Sequence, residues 1–171
     1  MQHPDFSLLG GEELLQALQR YCTERGVSDI HASPEKTEVR LEIRLHGMLD
    51  ALKPISQATY TDLVRRVKFL SKLKLNVTNL PQDGQYTFEV QEKTTEGGER
   101  SRTTEGPEPS RRVNIRIATL PSRFGETVTL RLLDPKRGII PLEKLGFSKE
   151  IHGKLDALIH LPHGLILMAG P

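Results

Sequence analysis

The sequence contains one cysteine, no tryptophan and eight other aromatic residues, five Phe and three Tyr, among 171 residues. A lone thiol, Cys22, cannot close an internal disulfide, and this usage fits a reducing compartment. No apolar run reaches the ~18 residues of a membrane span. The longest, Leu165-Ile166-Leu167-Met168-Ala169, is the size of a β-strand. The N-terminus, Met1-Gln2-His3-Pro4-Asp5, has no basic segment leading into an apolar one, which argues against a secretory signal. Charge of one sign is lacking too: 24 Lys+Arg face 22 Asp+Glu, and a net charge of +2 sets up no whole-molecule field to draw in nucleic acid or anionic lipid. Any anion site must be local. A cytoplasmic protein is expected, with enough residues for one domain and part of another.

What is present reads as α+β. Leu14, Leu15, Leu18, Tyr21 and Cys22 recur at helical spacing behind Gly10-Gly11, and Gly26 closes the helix with Cys22 on its apolar side. A short Ser28-Asp29-Ile30-His31 stretch and a turn at Pro34 lead to a strand in which Val39, Leu41, Ile43 and Leu45 alternate with Arg40, Glu42 and Arg44. His46-Gly47 turns the chain into a hairpin. A second helix follows Pro54, with Tyr60, Leu63, Val64, Val67 and Leu70 inward and Arg65, Arg66, Lys68 and Lys72 on a solvated basic flank. Pro81-Gln82-Asp83-Gly84 reads as a turn before a strand at residues 86–90. Residues 92–112 are so polar that they read as a long mobile hairpin loop. Two further strands carry Val113, Ile115 and Ile117, then Val128, Leu130 and Leu132, with Pro121 and Gly125 bracketing the turn between them. Short turns require antiparallel pairing, hence a meandering sheet.

The texture changes at Pro135. Residues 1–134 make the first domain, 135–147 a linker, and 148–171 the start of a second unit. Ser148 is placed to cap a helix, and residues 165–169, apolar at every position, match a strand buried on both faces of a parallel sheet. Such a strand needs neighbours that the remaining residues do not supply, so the chain reads as cut.

Strand parity puts Arg40, Arg44, Arg116 and Arg131 on the non-core side of their strands, where adjoining strands would bring guanidinium forks together to hold an oxyanion. The competing reading is a solvated sheet face with Glu42 and other acids as partners. His160 and His163 straddle Pro162 and lack a supporting cluster for a metal. Asp29 beside His31 suits a turn or a cap better than acid–base work, and Asp83 suits a turn.

The ordered fragments Ser28-Asp29-Ile30-His31, Arg44-Leu45-His46-Gly47, Arg66-Val67-Lys68, Pro81-Gln82-Asp83-Gly84, Arg116-Ile117-Ala118-Thr119-Leu120-Pro121, Gly125-Glu126, Leu130-Arg131-Leu132-Leu133-Asp134, Leu145-Gly146-Phe147 and His163-Gly164-Leu165-Ile166-Leu167 with Gly170-Pro171 resemble the type II secretion and type IV pilus assembly ATPase family. The resemblance runs from about residue 10 to the end. It implies a PAS-like N-terminal domain followed by the first helix and strand of a RecA-like ATPase domain. Gly170-Pro171 would open the Walker phosphate loop, leaving the loop lysine, acidic boxes and magnesium ligands beyond this chain. ATP and Mg²⁺ would then be cofactors of the full-length parent, with none expected for this fragment, which alone should not hydrolyse ATP.

The resemblance also implies that Arg116 and Arg131 reach nucleotide phosphates, with Arg44 and Arg66 as secondary candidates. Implied partners are the RecA-like domain of the same and neighbouring subunits in a homo-hexamer, and the inner-membrane platform and cytoplasmic components of a secretion or pilus machine. The implied location is the cytoplasmic face of the inner membrane, with no nucleic acid. Where the family shows Arg-x-Arg-x-Asp-Gly this chain has Glu42-Ile43-Arg44-Leu45-His46-Gly47, and Gln85 stands where Arg usually follows Gln-Asp-Gly. Two alternatives remain: a nucleic-acid-binding module using the arginine face, and a small-molecule sensor domain with an enclosed apolar pocket.

Overall fold

A computed structural model describes residues 3–91, 110–138 and 141–169, and the chain divides into two compact units, Met1–Pro135 and Lys136–Pro171. The first unit is a six-stranded, wholly antiparallel sheet with two helices on one face. Its elements are α1 (Gly11–Arg25), β1 (Val27–Pro34), β2 (Val39–Leu45), β3 (Met48–Ala51), α2 (Gln57–Leu70), β4 (Gln82–Gln91), β5 (Ser110–Ser122) and β6 (Gly125–Leu133). Strand order is β3-β2-β1-β6-β5-β4. Two three-stranded meanders, separated in sequence by α2, are thus joined where β1 pairs with β6.

The alternating apolar residues do what their spacing predicts. Val39, Leu41 and Ile43 of β2, Val113, Ile115 and Ile117 of β5, and Val128, Leu130 and Leu132 of β6 are all buried. Against them pack Leu14, Leu15, Leu18 and Cys22 of α1 and Tyr60, Leu63 and Val67 of α2. Each fully buried Leu or Ile contributes roughly 1.5–3 kcal/mol relative to exposure. Gly26, left-handed at φ 77, ends α1 by donating its N–H to the Cys22 carbonyl at 2.9 Å. The Cys22 thiol is core, and burial pushes its pKa up to about 12. His46 and Gly47 both take positive φ, 51 and 83, as a two-residue hairpin matching the strand twist requires. The helices approach closely because Gly11 has no side chain: a Cβ there would stand 2.6 Å from Asp62 Cβ and 2.7 Å from the Leu63 nitrogen.

Four expectations need correction. Residues 28–31 belong to a strand, β1, whose alternation is interrupted by a register shift between Val27 and Asp29. Gln82, Asp83 and Gly84 begin β4 instead of turning, paired with Thr119, Ala118 and Ile117. Ser110, Arg111 and Arg112 extend β5 opposite Gln91, Val90 and Glu89, so they are not loop; residues 92–109 of the expected loop lie outside the described residues. Pro121 likewise lies within β5, paired with Glu126.

A one-turn helix α3 (Pro135–Gly138) spans the boundary in sequence, and the second unit contains a 3-10 turn over Leu142–Lys144 and α4 (Lys149–Ile159). Ser148 caps α4, its Oγ accepting from the Ile151 N–H at 3.3 Å. Residues 165–169, expected as a buried strand, are not a strand here, and Leu165 is 81% exposed. A strand hydrogen-bonds only to a neighbour, and among the described residues of this unit there is no other strand.

Candidate functional site

Cross-strand register builds a single row on the sheet face opposite the helices. Leu49 of β3 stands opposite Arg44 of β2, Arg44 opposite Asp29 of β1, Asp29 opposite Arg131 of β6, Arg131 opposite Arg116 of β5, and Arg116 opposite Gln85 of β4. Directly paired residues stand about 4.5–5.5 Å apart at Cβ, so three guanidinium groups and one carboxylate share one line. None of the six is aromatic, so the row offers no stacking platform for bases.

Within the row the arginines differ. Arg131 Nε donates to Asp29 Oδ1 at 2.8 Å, and Arg44 Nε lies 3.6 Å from Asp29 Oδ2. Arg44 also donates through Nη1 to the Gly47 carbonyl at 2.9 Å, tying it to the hairpin tip. Ser28 Oγ donates to Asp29 Oδ2 at 2.8 Å. Arg116 is exposed and has no ion-pair partner among the described residues. The Asp29 side chain is 7% exposed. Burial alone would push its carboxyl up, yet the hydrogen bonds from Arg131 and Ser28 and the charge of Arg131 together outweigh that and hold it below the ordinary carboxylate value. The same hydrogen bond raises the pKa of Arg131. Arg44, Arg116 and Arg131 thus occupy one cross-strand row, with Asp29 between Arg44 and Arg131. Asp29, expected as a turn or cap residue, instead sits in mid-sheet as a carboxylate shared by two arginines, hydrogen-bonded to Arg131 and ion-paired with Arg44.

Arg40 lies on the same side of β2 but pairs with Glu35 at 3.3 Å and Glu42 at 3.6 Å, the solvated arrangement weighed for the whole set. Arg66 is in the helical layer, on α2, bound to Glu12 of α1 at 2.8 Å. Gly170 and Pro171 lie outside the described residues.

Lys68, Gln82, Gly84 and Asp134 of the ordered fragments make contacts that hold the fold together. Lys68, expected on a solvated flank, is 1% exposed, and its Nζ lies 2.7 Å from Glu126 Oε1 and 2.8 Å from the Val77 carbonyl. Its position was legible: Tyr60, Val64 and Lys68 follow one another at four-residue steps on the inward stripe. Gln82 clamps the segment after α2, accepting from the Lys74 N–H at 2.9 Å and donating to the carbonyls of Lys74 at 3.1 Å and Val77 at 2.8 Å. Gly84 lets that segment close on β4, since a Cβ would meet Leu73 Cδ2 at 2.9 Å and Ser71 Cβ at 3.0 Å. Asp134 is buried against Arg111, 3.0 Å away.

Residues 10–97 and 106–171 match the type II/IV secretion system protein family. The chain belongs to that family. Among curated relatives, type II secretion system protein E of Dickeya dadantii is 34% identical over 96% of this chain and 30% of its own length. The type IV pilus assembly ATPase TfpB of Acinetobacter baylyi is 29% identical over 99% of this chain and 26% of its own. The chain thus spans less than a third of either secretion-family relative. A solved structure, the Yersinia pseudotuberculosis ATPase DotB, aligns over 88% of this chain and 36% of that one with a TM-score of 0.47 and 15% identity. Among the described residues of this family member, no helix is long and apolar enough to cross a membrane.

Proposed function

We propose that this chain is the N-terminal portion of a hexameric secretion or pilus-assembly motor ATPase, and that the open face of its sheet presents Arg116 and Arg131 to the phosphates of a nucleotide held by a RecA-like domain. The observation that carries this reading is the pairing of Arg116 with Arg131 across β5 and β6, one guanidinium without a carboxylate partner among the described residues and the other bound to protein through Nε. Two adjacent cations on an open face repel, and a polyanion relieves that repulsion. Membership in a family with ATPase members supports ATP, with Mg²⁺, as that anion, bound by the motor domain whose phosphate loop would open at Gly170-Pro171.

In this reading residues 1–134 form a PAS-like arm, and 148–171 lead into the RecA-like domain. Guanidinium groups placed where phosphate charge builds stabilise the transition state of phosphoryl transfer, and a phosphate gripped by two domains couples their closure to hydrolysis. The hexamer would work at the cytoplasmic face of the inner membrane, moving a pseudopilus or pilus with its platform proteins. Arg44, held by Asp29 and Gly47, lies further along the row as a secondary contact. Arg66, in the helical layer, would meet phosphate only at a different surface, one offered by a neighbouring subunit.

The test is ATP turnover and thermal unfolding of the full-length motor carrying Arg116→Ala or Arg131→Ala. Turnover is expected to fall by about 10²–10³-fold, as when an oxyanion donor is removed. Unfolding of the exposed Arg116→Ala should change by no more than ~0.5 kcal/mol. Equal loss of turnover and stability in both variants would make these arginines structural and overturn the reading.

A further inference from the structure

We infer that Asp29 is a positioning residue for phosphate contact: it holds Arg131 by the Nε edge and aims the outer edge of that guanidinium away from the sheet. The inference rests on the phosphate-contact reading of Arg131 and assigns how that contact is prepared.

A guanidinium carries five N–H donors in a planar fork. A carboxylate that neutralises an arginine frequently grips it with both oxygens across two nitrogens. Asp29 does not do this. Its Oδ1 takes the single Nε–H at 2.8 Å, while Oδ2 is turned to the Ser28 hydroxyl at 2.8 Å and faces Arg44 at 3.6 Å. The terminal nitrogens of Arg131 have no protein partner among the described residues, and its side chain is 60% exposed. One edge of the fork is therefore anchored to a nearly buried carboxylate, and the edge able to make a bidentate contact with phosphate is left open.

The backbone that carries the anchor is held on both sides. Asp29 lies on one of the two middle strands, with β2 paired on one side and β6 on the other, and the register shift beside it sets its place between Arg44 and Arg131. An arginine held this way loses less conformational freedom on meeting its ligand, so the gain appears in the transition state, where geometry matters most. The row carries three arginines and one carboxylate. Removing the acceptor oxygen would release the Nε edge, and Arg131 would turn away from Arg116.

The experiment is a double-mutant cycle on ATP hydrolysis by the full-length motor, with kcat and KM for ATP determined separately: Asp29→Ala, Asp29→Asn, Arg131→Ala, Arg116→Ala and Asp29→Ala with Arg131→Ala. Asp29→Ala is expected to lower kcat by about tenfold or more with a smaller change in KM, since a contact made best in the transition state is lost. In the Arg131→Ala background the same change should have no further effect on kcat. Asp29→Asn keeps an oxygen that can accept the Nε–H, so it should restore the greater part of kcat even though the ion pair, and with it some thermal stability, is gone. A purely structural Asp29 would show kcat following stability in both Asp29 variants.

If Arg131→Ala lowers turnover but Asp29→Ala lowers it by the same factor with or without Arg131, or not at all, the positioning role is overturned while the phosphate-contact reading stands. Loss of turnover with Arg116→Ala but not Arg131→Ala overturns it too. Full activity in both arginine variants overturns the phosphate-contact reading itself.

Discussion

Lys68 Nζ lies 2.7 Å from the Glu126 carboxylate with both side chains buried, joining helix α2 to the start of β6. Both charges are taken out of water there, and the cation has a second acceptor beside the carboxylate. The Val77 carbonyl accepts from Lys68, and the Glu126 backbone carbonyl accepts from the Tyr60 hydroxyl. The pair links the segment after α2, the helix itself and the β5–β6 hairpin.

Breaking this pair on one side should be severe. Lys68→Ala leaves Glu126 buried without its cation and is expected to cost about 3–5 kcal/mol, whereas replacing both by apolar residues of similar volume, Lys68→Met with Glu126→Leu, should recover most of that loss. Urea unfolding of the wild type, both single variants and the double variant checks it. A double variant no more stable than the worse single would show that the charges are needed as such.

The close packing of α1 on α2 predicts an order among glycine substitutions. Gly11→Ala drives a Cβ into Asp62 and the Leu63 backbone and should cost about 1–3 kcal/mol. Gly84→Ala meets mainly the flexible end of Leu73 and should cost less. Gly153→Ala, inside α4 with nothing within 4 Å, should stabilise its helix by roughly 0.5–1 kcal/mol. Thermal unfolding, with helical circular dichroism for Gly153→Ala, reads all three.

Acid should act through Asp29. Its folded pKa is depressed, so the stability it contributes is fully present above the unfolded value of about 3.9 and is lost as pH falls through the lower folded value. The groups facing it are Arg131, Arg44, Ser28 and His31. Wild type should therefore lose stability between about pH 5 and the acid limit more steeply than Asp29→Asn, with the two curves parallel at neutral pH. Urea midpoints measured across that range decide it, and identical slopes would show that Asp29 does not titrate with folding.

Helix α1, strands β2, β5 and β6 and the His46-Gly47 hairpin follow from local pattern, because an apolar period of 3.6 or 2 states which side of an element is buried whatever packs against it. The same parity placed Arg44, Arg116 and Arg131 on one side of their strands. Strand β1 escaped because the register shift at Val27 and Asp29 breaks its alternation. Lys68 escaped because its charge argued for solvent while its spacing argued for the core.

Residue order alone thus determined the elements, the sidedness of the arginines and, through ordered short fragments, the family. Only the tertiary structure decided that β1 and β6 meet, which sets Asp29 between Arg44 and Arg131, and that Arg131 faces Arg116. Pairing between strands some hundred residues apart depends on which hydrogen-bonding edges remain free once the two meanders have formed, and no local periodicity carries that information.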